Sequence, residues 1–320
     1  MNEKISYDQR PLRLVFMGTP TFAVPSLEAC ARVADVTLVV TRPDAVRGRG
    51  KALVPSDVKA CAESLELPCY EGSRVDDAMM DALRAAQPDI VVVAAYGAIL
   101  PDRLLELPEL GCINVHASSL PRWRGAAPIQ RAILEGDERA GVSIMEVVHD
   151  LDAGAYCRQA SLPVADTPCA ELMDALARLG ADELVAALGQ IADGTVAWTP
   201  QDEALVTYAA KLTKAEMALD PQDGALANAR RVQASADAAP ARCSVGGRGV
   251  RVLVARVAPA DSLAQTPEPG TYLRLKGRVL LGCADGVLEP LRVKPDGKRE
   301  MDVVAWAAGL QQKSGAWGVA

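Results

Sequence analysis

Short apolar runs alternate, over the first 200 residues, with segments whose apolar residues recur at helical spacing. The strongest runs predict buried strands at residues 12–17, 36–40 and 90–95, and the last of these is continuous and β-branched, as parallel strands are. Weaker runs predict strands at 67–70, 112–116 and 143–148, and helical spacing predicts helices at 24–33, 56–65, 76–86, 126–135 and 168–193. This alternation predicts an α/β domain with a doubly wound, mainly parallel sheet that binds its ligands at the carboxyl ends of the strands.

The pattern changes in the last third of the chain. Short strand-like runs, separated by Gly, Pro and Asp, occur at 250–257, 270–275, 277–283 and 287–293. Such punctuated runs are typical of a small β-barrel, and a closing helix is predicted at 301–310. Residues before them have the composition of a linker, so the sequence predicts a first domain at 1–200, a linker at 201–215 and a second domain at 216–320.

The net charge of the chain is −7, but its two parts differ in sign. Residues 1–208 carry 18 Lys and Arg against 30 Asp and Glu, whereas residues 209–320 carry 16 against 11. A basic second domain favours a polyanionic partner such as a nucleic acid. The alternative is that an excess of this size is ordinary variation.

The remaining composition argues against several classes of protein. The eight cysteines contain no Cys-x-x-Cys pair and histidines number only two, so we expect reduced thiols, no metal site and a cytoplasmic protein. We predict no signal peptide in the polar N-terminal residues and no membrane span anywhere in the chain. The turn Gly18-Thr19-Pro20 lacks the Gly-x-Gly-x-x-Gly pattern, which argues against a nicotinamide (NAD) cofactor.

Asn114 and His116 are the strongest candidates for catalytic residues. They lie two residues apart in a predicted strand, so their side chains point to the same face. An asparagine can donate to an oxyanion and a histidine can transfer a proton, while Asp152, in an acidic turn, can orient or charge the histidine. Each also has a structural alternative, as a strand-end amide, a core histidine or a turn carboxylate. His149 is predicted to be a loop residue outside the site.

At these residues the sequence resembles the folate-dependent formyltransferases. The shared motifs are Asn114-x-His116, the loop Ser118-Ser119-Leu120-Pro121 and the turn Leu151-Asp152-Ala153-Gly154. Further matching segments, two of them typical of the tRNA-specific branch, are Pro121–Gln130, Gly48–Lys51, Val15–Pro20 and Val93–Pro101. Ser119 and Ala153 depart from the usual residues, and an expected aromatic-Asn-Pro-Trp-Pro stretch is absent near 233–240.

The resemblance implies a Rossmann-like formyltransferase domain, an OB-like barrel and formyl transfer from 10-formyltetrahydrofolate to the α-amino group of methionine on initiator tRNA, for translation initiation. It implies that Asn114, His116 and Asp152 are catalytic. The residues implied to bind folate are Tyr96, Gly97, Ala98, Ile99, Leu100, Ser118, Ser119, Leu120 and Pro121. Those implied to bind tRNA are Arg47, Arg49, Lys51, Arg122, Arg124, Lys211 and Lys214. Arg122 and Arg124 have the alternative of clamping their own loop.

Two other functions stay open from the residues alone. A formyltransferase acting on a small amine, such as a nucleotide sugar or glycinamide ribonucleotide, needs neither the Gly48–Lys51 insertion nor the second domain. A nucleic-acid-binding module with a vestigial folate site has no need of an intact Asn114, His116 and Asp152. Formyl transfer to tRNA is therefore the favoured hypothesis, and a monomer is the expected oligomeric state.

Overall fold

The computed structural model describes residues 4–46, 53–262 and 265–320, which form two compact units. The first unit comprises Met1–Pro128, Arg139–Pro163 and Met173–Ala209, and the second comprises Ile129–Glu138, Val164–Leu172 and Ala210–Ala320. The domain boundaries predicted at residues 200 and 215 stay a prediction, because residues that pack together need not form an independently folding domain.

Strands and helices alternate through most of the first unit, as the sequence pattern predicts. The strands are β1 (Ser6–Tyr7), β2 (Arg10–Pro11), β3 (Arg13–Gly18), β4 (Asp35–Thr41), β5 (Ala45–Val46), β6 (Leu53–Val54), β7 (Cys69–Glu71), β8 (Ile90–Ala94), β9 (Cys112–His116), β10 (Arg124–Gly125), β11 (Arg139–Glu146), β12 (Tyr156–Pro163) and β13 (Tyr208–Ala209). The helices are α1 (Val24–Val33), α2 (Asp57–Ser64), α3 (Asp77–Ala86), α4 (Asp102–Leu105), α5 (Pro128–Glu135) and α6 (Cys169–Ala192). Helices α5 and α6 are shared with the second unit.

A seven-stranded sheet in the order β12-β11-β9-β8-β3-β4-β7 forms the centre of the first unit. The strands from β9 to β7 are parallel, whereas β11 runs antiparallel to both β9 and β12. Pairing of Gly18 with Ala94 and of Val93 with Asn114 brings the carboxyl ends of β3, β8 and β9 to one edge of the sheet. The predicted mainly parallel sheet is confirmed, and this edge is where such folds bind ligands.

Burial explains why the central strands appear in the sequence as unbroken apolar runs. Every residue of β8 is buried, as expected for a parallel strand covered on both faces. Helix α3 packs Met79, Met80 and Leu83 into the same core as the central strands. It begins after Asp76, whose carboxylate accepts a hydrogen bond from the Met79 N–H at 3.0 Å, and ends at Gln87 in the left-handed conformation.

A closed barrel forms the centre of the second unit. Its strands are β14 (Arg242–Val245), β15 (Arg248–Val257), β16 (Thr271–Leu275), β17 (Arg278–Cys283), β18 (Gly286–Pro295), β19 (Met301–Asp302) and β20 (Ser314–Gly318), and its helices are α7 (Ala225–Gln233) and α8 (Val303–Ala307). Antiparallel pairing in the order β15-β14-β20-β16-β17-β18 is closed by β18 pairing with β15, and β19 adds to β18. The predicted barrel is confirmed, although the closing helix is shorter than residues 301–310.

Glu289 is the buried charge of the barrel, with 3% of its side chain exposed. Burial acts to raise its pKa, but hydrogen bonds from Arg278 and Arg256 outweigh burial, so the pKa of the carboxyl is lowered. The carboxylate lies 2.6 Å from Arg278 and 2.9 Å from Arg256. Because both arginines reach solvent, the ion pairs compensate the charge of the buried carboxylate without burying two further charges in the core.

Candidate active site

Strand β9 carries both predicted catalytic side chains to the carboxyl edge of the sheet. Asn114 and His116 alternate with buried aliphatic residues, so both side chains lie on one face. Antiparallel β11 pairs Met145 with Asn114 and Ser143 with His116. This pairing fixes the register, and with it the face that the two residues occupy.

The His116 ring is buried, with 6% of its side chain exposed, and each of its nitrogens faces a defined group. Nε2 lies 3.0 Å from the carbonyl oxygen of Trp123, and since a carbonyl only accepts, Nε2 carries the hydrogen of that bond. Nδ1 lies 3.7 Å from Oδ2 of Asp152. Nδ1 is therefore the ring nitrogen that faces the carboxylate and is not engaged by the Trp123 carbonyl.

Asp152 lies in a tight turn that aims its carboxylate at the histidine. Its backbone is in the left-handed region, with φ of 49°, and 18% of its side chain is exposed. Oδ2 accepts a hydrogen bond from the Gly125 N–H at 2.8 Å. The carboxylate is thus held between β10 and the His116 ring, and its position does not depend on the histidine alone.

The Asn114 amide is half-buried and has no hydrogen-bond partner among the residues that the structure describes. A strand-end amide that capped a backbone group would have such a partner. The side chain is therefore available to donate to a bound molecule, whereas the His116 ring is already held on its Nε2 side.

The segment Tyr96–Leu100, predicted to bind folate, follows β8 at the same edge. The Tyr96 ring is buried and its hydroxyl donates to the Gly72 carbonyl at 2.9 Å, so this residue offers its backbone to the edge. Gly97 has a φ of 81°, which turns the chain after the strand. Ala98 is half-buried and Leu100 is buried, whereas 90% of Ile99 is exposed.

The second predicted folate segment is a loop fixed by hydrogen bonds to its own backbone. The Ser143 hydroxyl donates to the Ser118 carbonyl at 2.6 Å and accepts from the Leu120 N–H at 3.1 Å. Gln159 donates to the Leu120 carbonyl at 2.8 Å, and the Ser118 hydroxyl donates to the Arg122 carbonyl at 2.6 Å. Ser119 is exposed and Pro121 is half-buried. The loop therefore presents a preformed backbone surface.

The two arginines of this loop have different surroundings. The Arg122 guanidinium lies over the Trp123 ring, 4.3 Å from its centroid. Arg124 has 4% of its side chain exposed, and it bonds Glu203 at 2.7 Å and Gln201 at 2.9 Å. Of the two alternatives for Arg124, contact with tRNA or a clamp on the loop, this placement favours the clamp.

The other residues predicted to bind tRNA lie elsewhere in the chain. Lys211 and Lys214 are exposed at the start of the long segment of the second unit. Arg47, Arg49 and Lys51 lie outside the residues that the structure describes. His149 is exposed, 3.3 Å from Asp102, as expected of a loop residue.

Two cysteines in strands of the central sheet are not poised as nucleophiles. Burial raises the pKa of Cys112, in β9, to about 12, and that of Cys157, in β12, to about 11. Both thiols are protonated near neutral pH, and a thiol is a far weaker nucleophile than a thiolate. The groups available for catalysis are therefore an amide, an imidazole and a carboxylate.

Two features are absent from the described part of the chain. It contains no group of three or more His, Cys, Asp or Glu side chains able to hold a metal ion. None of the helices described is long and apolar enough to cross a membrane.

Models of known protein families match both parts of the chain. The formyl transferase model matches residues 12–188, and the model of the formyl transferase C-terminal domain matches residues 211–311. The chain belongs to the formyl transferase family. The first match includes Asn114, His116 and Asp152, and the second includes the barrel apart from its last strand.

Relatives within the family match nearly the whole chain. The methionyl-tRNA formyltransferase of Halorhodospira halophila is 43% identical over 93% of this chain and 96% of its own length. That of Stenotrophomonas maltophilia is 46% identical over 88% of this chain and 92% of its own length. The solved structure of an N-formyltransferase from Helicobacter canadensis shares the fold, with a TM-score of 0.64 and 14% identity over 87% of this chain and 98% of that one.

Sequence reasoning missed residues of this family member that support the site without belonging to a motif. Thr207 accepts a hydrogen bond from the Trp123 N–H at 2.9 Å, and Gln201 bonds the turn of Asp152. Both lie in the segment predicted as a linker. Ser143 was predicted only as a residue of a strand, with no role in the site. No spacing pattern in the sequence identifies them, because their partners are far away along the chain.

Proposed function

We propose that this protein transfers a formyl group from 10-formyltetrahydrofolate to the α-amino group of methionyl initiator tRNA. The observation that carries the proposal is the presence of Asn114, His116 and Asp152 at one strand end of a formyl transferase whose relatives, over nearly their full length, are methionyl-tRNA formyltransferases. The product supplies formylmethionine for translation initiation.

In the proposed reaction the amine nitrogen attacks the formyl carbon. The bond between the formyl carbon and the folate nitrogen then breaks. The carbonyl oxygen becomes an oxyanion in the tetrahedral intermediate, and the free Asn114 amide donates to it. Nδ1 of His116 carries the proton that moves from the amine toward the leaving nitrogen. Asp152 stabilises the imidazolium that forms during this transfer, and binding both substrates at one place supplies much of the remaining rate enhancement.

The folate is proposed to bind along two backbone segments, Tyr96–Leu100 and Ser118–Pro121. A pterin edge presents donors and acceptors that match those of a peptide, so backbone groups suit it well. The loop Ser118–Pro121 is fixed by Ser143 and Gln159, which leaves little conformational entropy to lose on binding. The exposed Ile99 side chain adds apolar surface beside this backbone.

The tRNA is proposed to contact basic residues of both parts of the chain. Lys211 and Lys214 are exposed, and their charges are suited to phosphates. Arg47, Arg49 and Lys51 are proposed for the same role from the family resemblance alone, and Arg122 from its position beside the site. Arg124 is proposed as a clamp. A monomeric state and a cytoplasmic location also stay predictions.

The test is to measure kcat/KM with 10-formyltetrahydrofolate and three acceptors: methionyl initiator tRNA, a nucleotide amino sugar and glycinamide ribonucleotide. We expect transfer to the tRNA to exceed transfer to either small amine by at least about a thousandfold. Comparable rates with a small amine would contradict the proposal and favour the small-amine alternative. Absence of both folate binding and transfer to any acceptor would favour the nucleic-acid-binding module with a vestigial folate site.

A further inference from the structure

We propose that Gln201 is a positioning residue for Asp152, and this inference rests on the proposed function. The side-chain amide of Gln201 donates to the Asp152 carbonyl at 2.8 Å and to the Gly154 carbonyl at 2.7 Å. Its oxygen accepts from Nε of Arg124 at 2.9 Å. The Gln201 side chain therefore links two residues of the turn, Asp152 and Gly154, to Arg124 in strand β10.

The orientation of this amide is determined by its partners. Both donor hydrogens of Gln201 meet carbonyl oxygens, and its oxygen meets a guanidinium, which only donates. Rotating the amide by half a turn would set oxygen against two carbonyls and nitrogen against an arginine. The bonds are thus mutually dependent, and the loss of the amide leaves the Asp152 carbonyl, the Gly154 carbonyl and Nε of Arg124 without this partner.

The turn needs such support because its own backbone is strained and short. Asp152 has a φ of 49°, in the left-handed region that L-residues seldom adopt. The next residue but one, Gly154, packs so closely on the Glu146 backbone that a side chain there would collide with it. A turn held in this way stays in place only when its surroundings fix it, and Gln201 supplies two of the fixing bonds.

Arg124 anchors the glutamine and, through the next residue, the carboxylate. Its guanidinium is buried and paired with Glu203 at 2.7 Å, so its position is fixed. The adjacent Gly125 N–H donates to Oδ2 of Asp152 at 2.8 Å. Strand β10 therefore holds the carboxylate directly and holds the turn's backbone through Gln201, and the two together set the 3.7 Å separation from His116.

The first test replaces Gln201 with residues that separate its roles. Gln201→Met has similar length but no hydrogen bonds, and we expect kcat to fall by about 10- to 100-fold with KM for folate and tRNA within about threefold, since small displacements at a catalytic group have such effects. Gln201→Glu can still accept from Arg124 but repels both carbonyls, and we expect a loss at least as large. Wild-type kcat in Gln201→Glu would overturn the inference.

A double-mutant cycle then asks whether Gln201 acts through Asp152. Because the two residues are coupled in the proposal, Gln201→Met should slow the Asp152→Asn enzyme by less than about twofold. A full additional loss in the double variant would overturn the inference, because it would show an effect independent of the carboxylate. Gln233→Met is the matched control: Gln233 also donates to two carbonyls, of Ala165 and Thr167, and its replacement should leave kcat unchanged.

A measurement that needs no catalysis separates this inference from the proposed function. We expect the backbone amides of residues 150–155 to exchange with deuterium faster in Gln201→Met than in the wild type, and at the wild-type rate in Gln233→Met. Unchanged exchange in Gln201→Met would overturn the positioning role even if the enzyme proved inactive on tRNA. Faster exchange in Gln201→Met, combined with a wild-type protein that lacks transferase activity, would support the positioning of the turn by Gln201 and contradict only the proposed function.

Discussion

At the scale of single residues, the site divides its work between groups that are held and one that is free. His116 is fixed through Nε2, and Asp152 is fixed by the Gly125 N–H, so the Asp152 carboxylate faces the other ring nitrogen, Nδ1. The Asn114 side chain has no hydrogen-bond partner within the described part of the chain, so it can donate to the oxygen on which charge develops. Preorganised donors of this kind act without reorganisation at the moment of reaction.

Removing the Asn114 donor should slow the chemical step selectively. We expect Asn114→Ala to lower kcat by about 100- to 1000-fold with little change in either KM, as the loss of one oxyanion donor typically does. Asn114→Asp, of equal size, replaces the donor by a negative charge and should be at least as slow. Steady-state kinetics with both substrates varied would measure this, and a rise in KM at constant kcat would show that Asn114 only binds substrate.

At the scale of elements, two supports outside the catalytic strand hold the site and the sheet. The turn Asp152–Gly154 packs against the Glu146 backbone, and the hairpin β1–β2 is joined to the sheet by Arg10. Arg10 forms a two-pronged ion pair with Asp89, which is 7% exposed and also accepts from the Arg13 N–H. Each support makes a separate prediction.

Gly154→Ala should impair catalysis by displacing the turn. A Cβ at Gly154 would overlap the Glu146 carbonyl, which is backbone and cannot rotate away. We expect kcat to fall about tenfold or more, with about 1–3 kcal/mol lost from the free energy of unfolding. Gly189→Ala in α6 is the control, because an added Cβ there would meet no atom of the described residues within 4 Å beyond its own stretch of helix; it should keep full activity and gain slight stability. Equal effects of the two variants would contradict the argument.

Arg10→Ala should make the free energy of unfolding less dependent on pH in the acid range. Burial acts to raise the pKa of Asp89, but the Arg10 and Arg13 hydrogen bonds prevail and lower it from 3.8. A lowered pKa contributes stability that is present above the unfolded-state value and is lost as pH falls through the folded-state value. Melting temperatures of the two proteins should therefore differ most near pH 7 and converge as the pH falls through the lowered pKa of Asp89. A constant difference across that range would show that Arg10 acts by packing alone.

The sequence predicts elements well and their long-range partners poorly. Strand β9 was predicted with its observed bounds because apolar residues alternate around Asn114 and His116. Strand β12 was missed because it lies at the sheet edge, where every residue is exposed or half-buried and no apolar period forms. The Gln201–Asp152 and Trp123–Thr207 bonds span 49 and 84 residues, and only the folded path of the chain brings such partners together.

At the scale of the whole molecule, charge and catalysis belong to different parts of the chain. The candidate catalytic residues lie in the acidic first part, whereas residues 209–320 carry an excess of Lys and Arg. A polyanionic substrate gains attraction from the basic part without any positive charge being added at the catalytic centre.

The double variant Lys211→Glu, Lys214→Glu should weaken tRNA binding while leaving chemistry intact. Each phosphate contact contributes about −0.9 to the slope of log affinity against log salt for duplex nucleic acid. We expect KM for tRNA to rise about tenfold or more at low salt and kcat to stay constant. The slope of log affinity against log salt should become less steep by about one to two. Arg84→Glu, an exposed charge reversal on α3, is the control. An unchanged salt slope in the double variant would remove both lysines from the tRNA contact.

The most direct measurement is single-turnover formyl transfer from 10-formyltetrahydrofolate to methionyl initiator tRNA by the wild type, His116→Gln and His149→Gln. A glutamine at 116 can still donate to the Trp123 carbonyl but carries no titratable proton, while His149 is exposed and outside the site. We predict rapid transfer by the wild type and by His149→Gln, and a loss of at least about a hundredfold in His116→Gln. Equal transfer rates in all three proteins would contradict the assignment of proton transfer to His116.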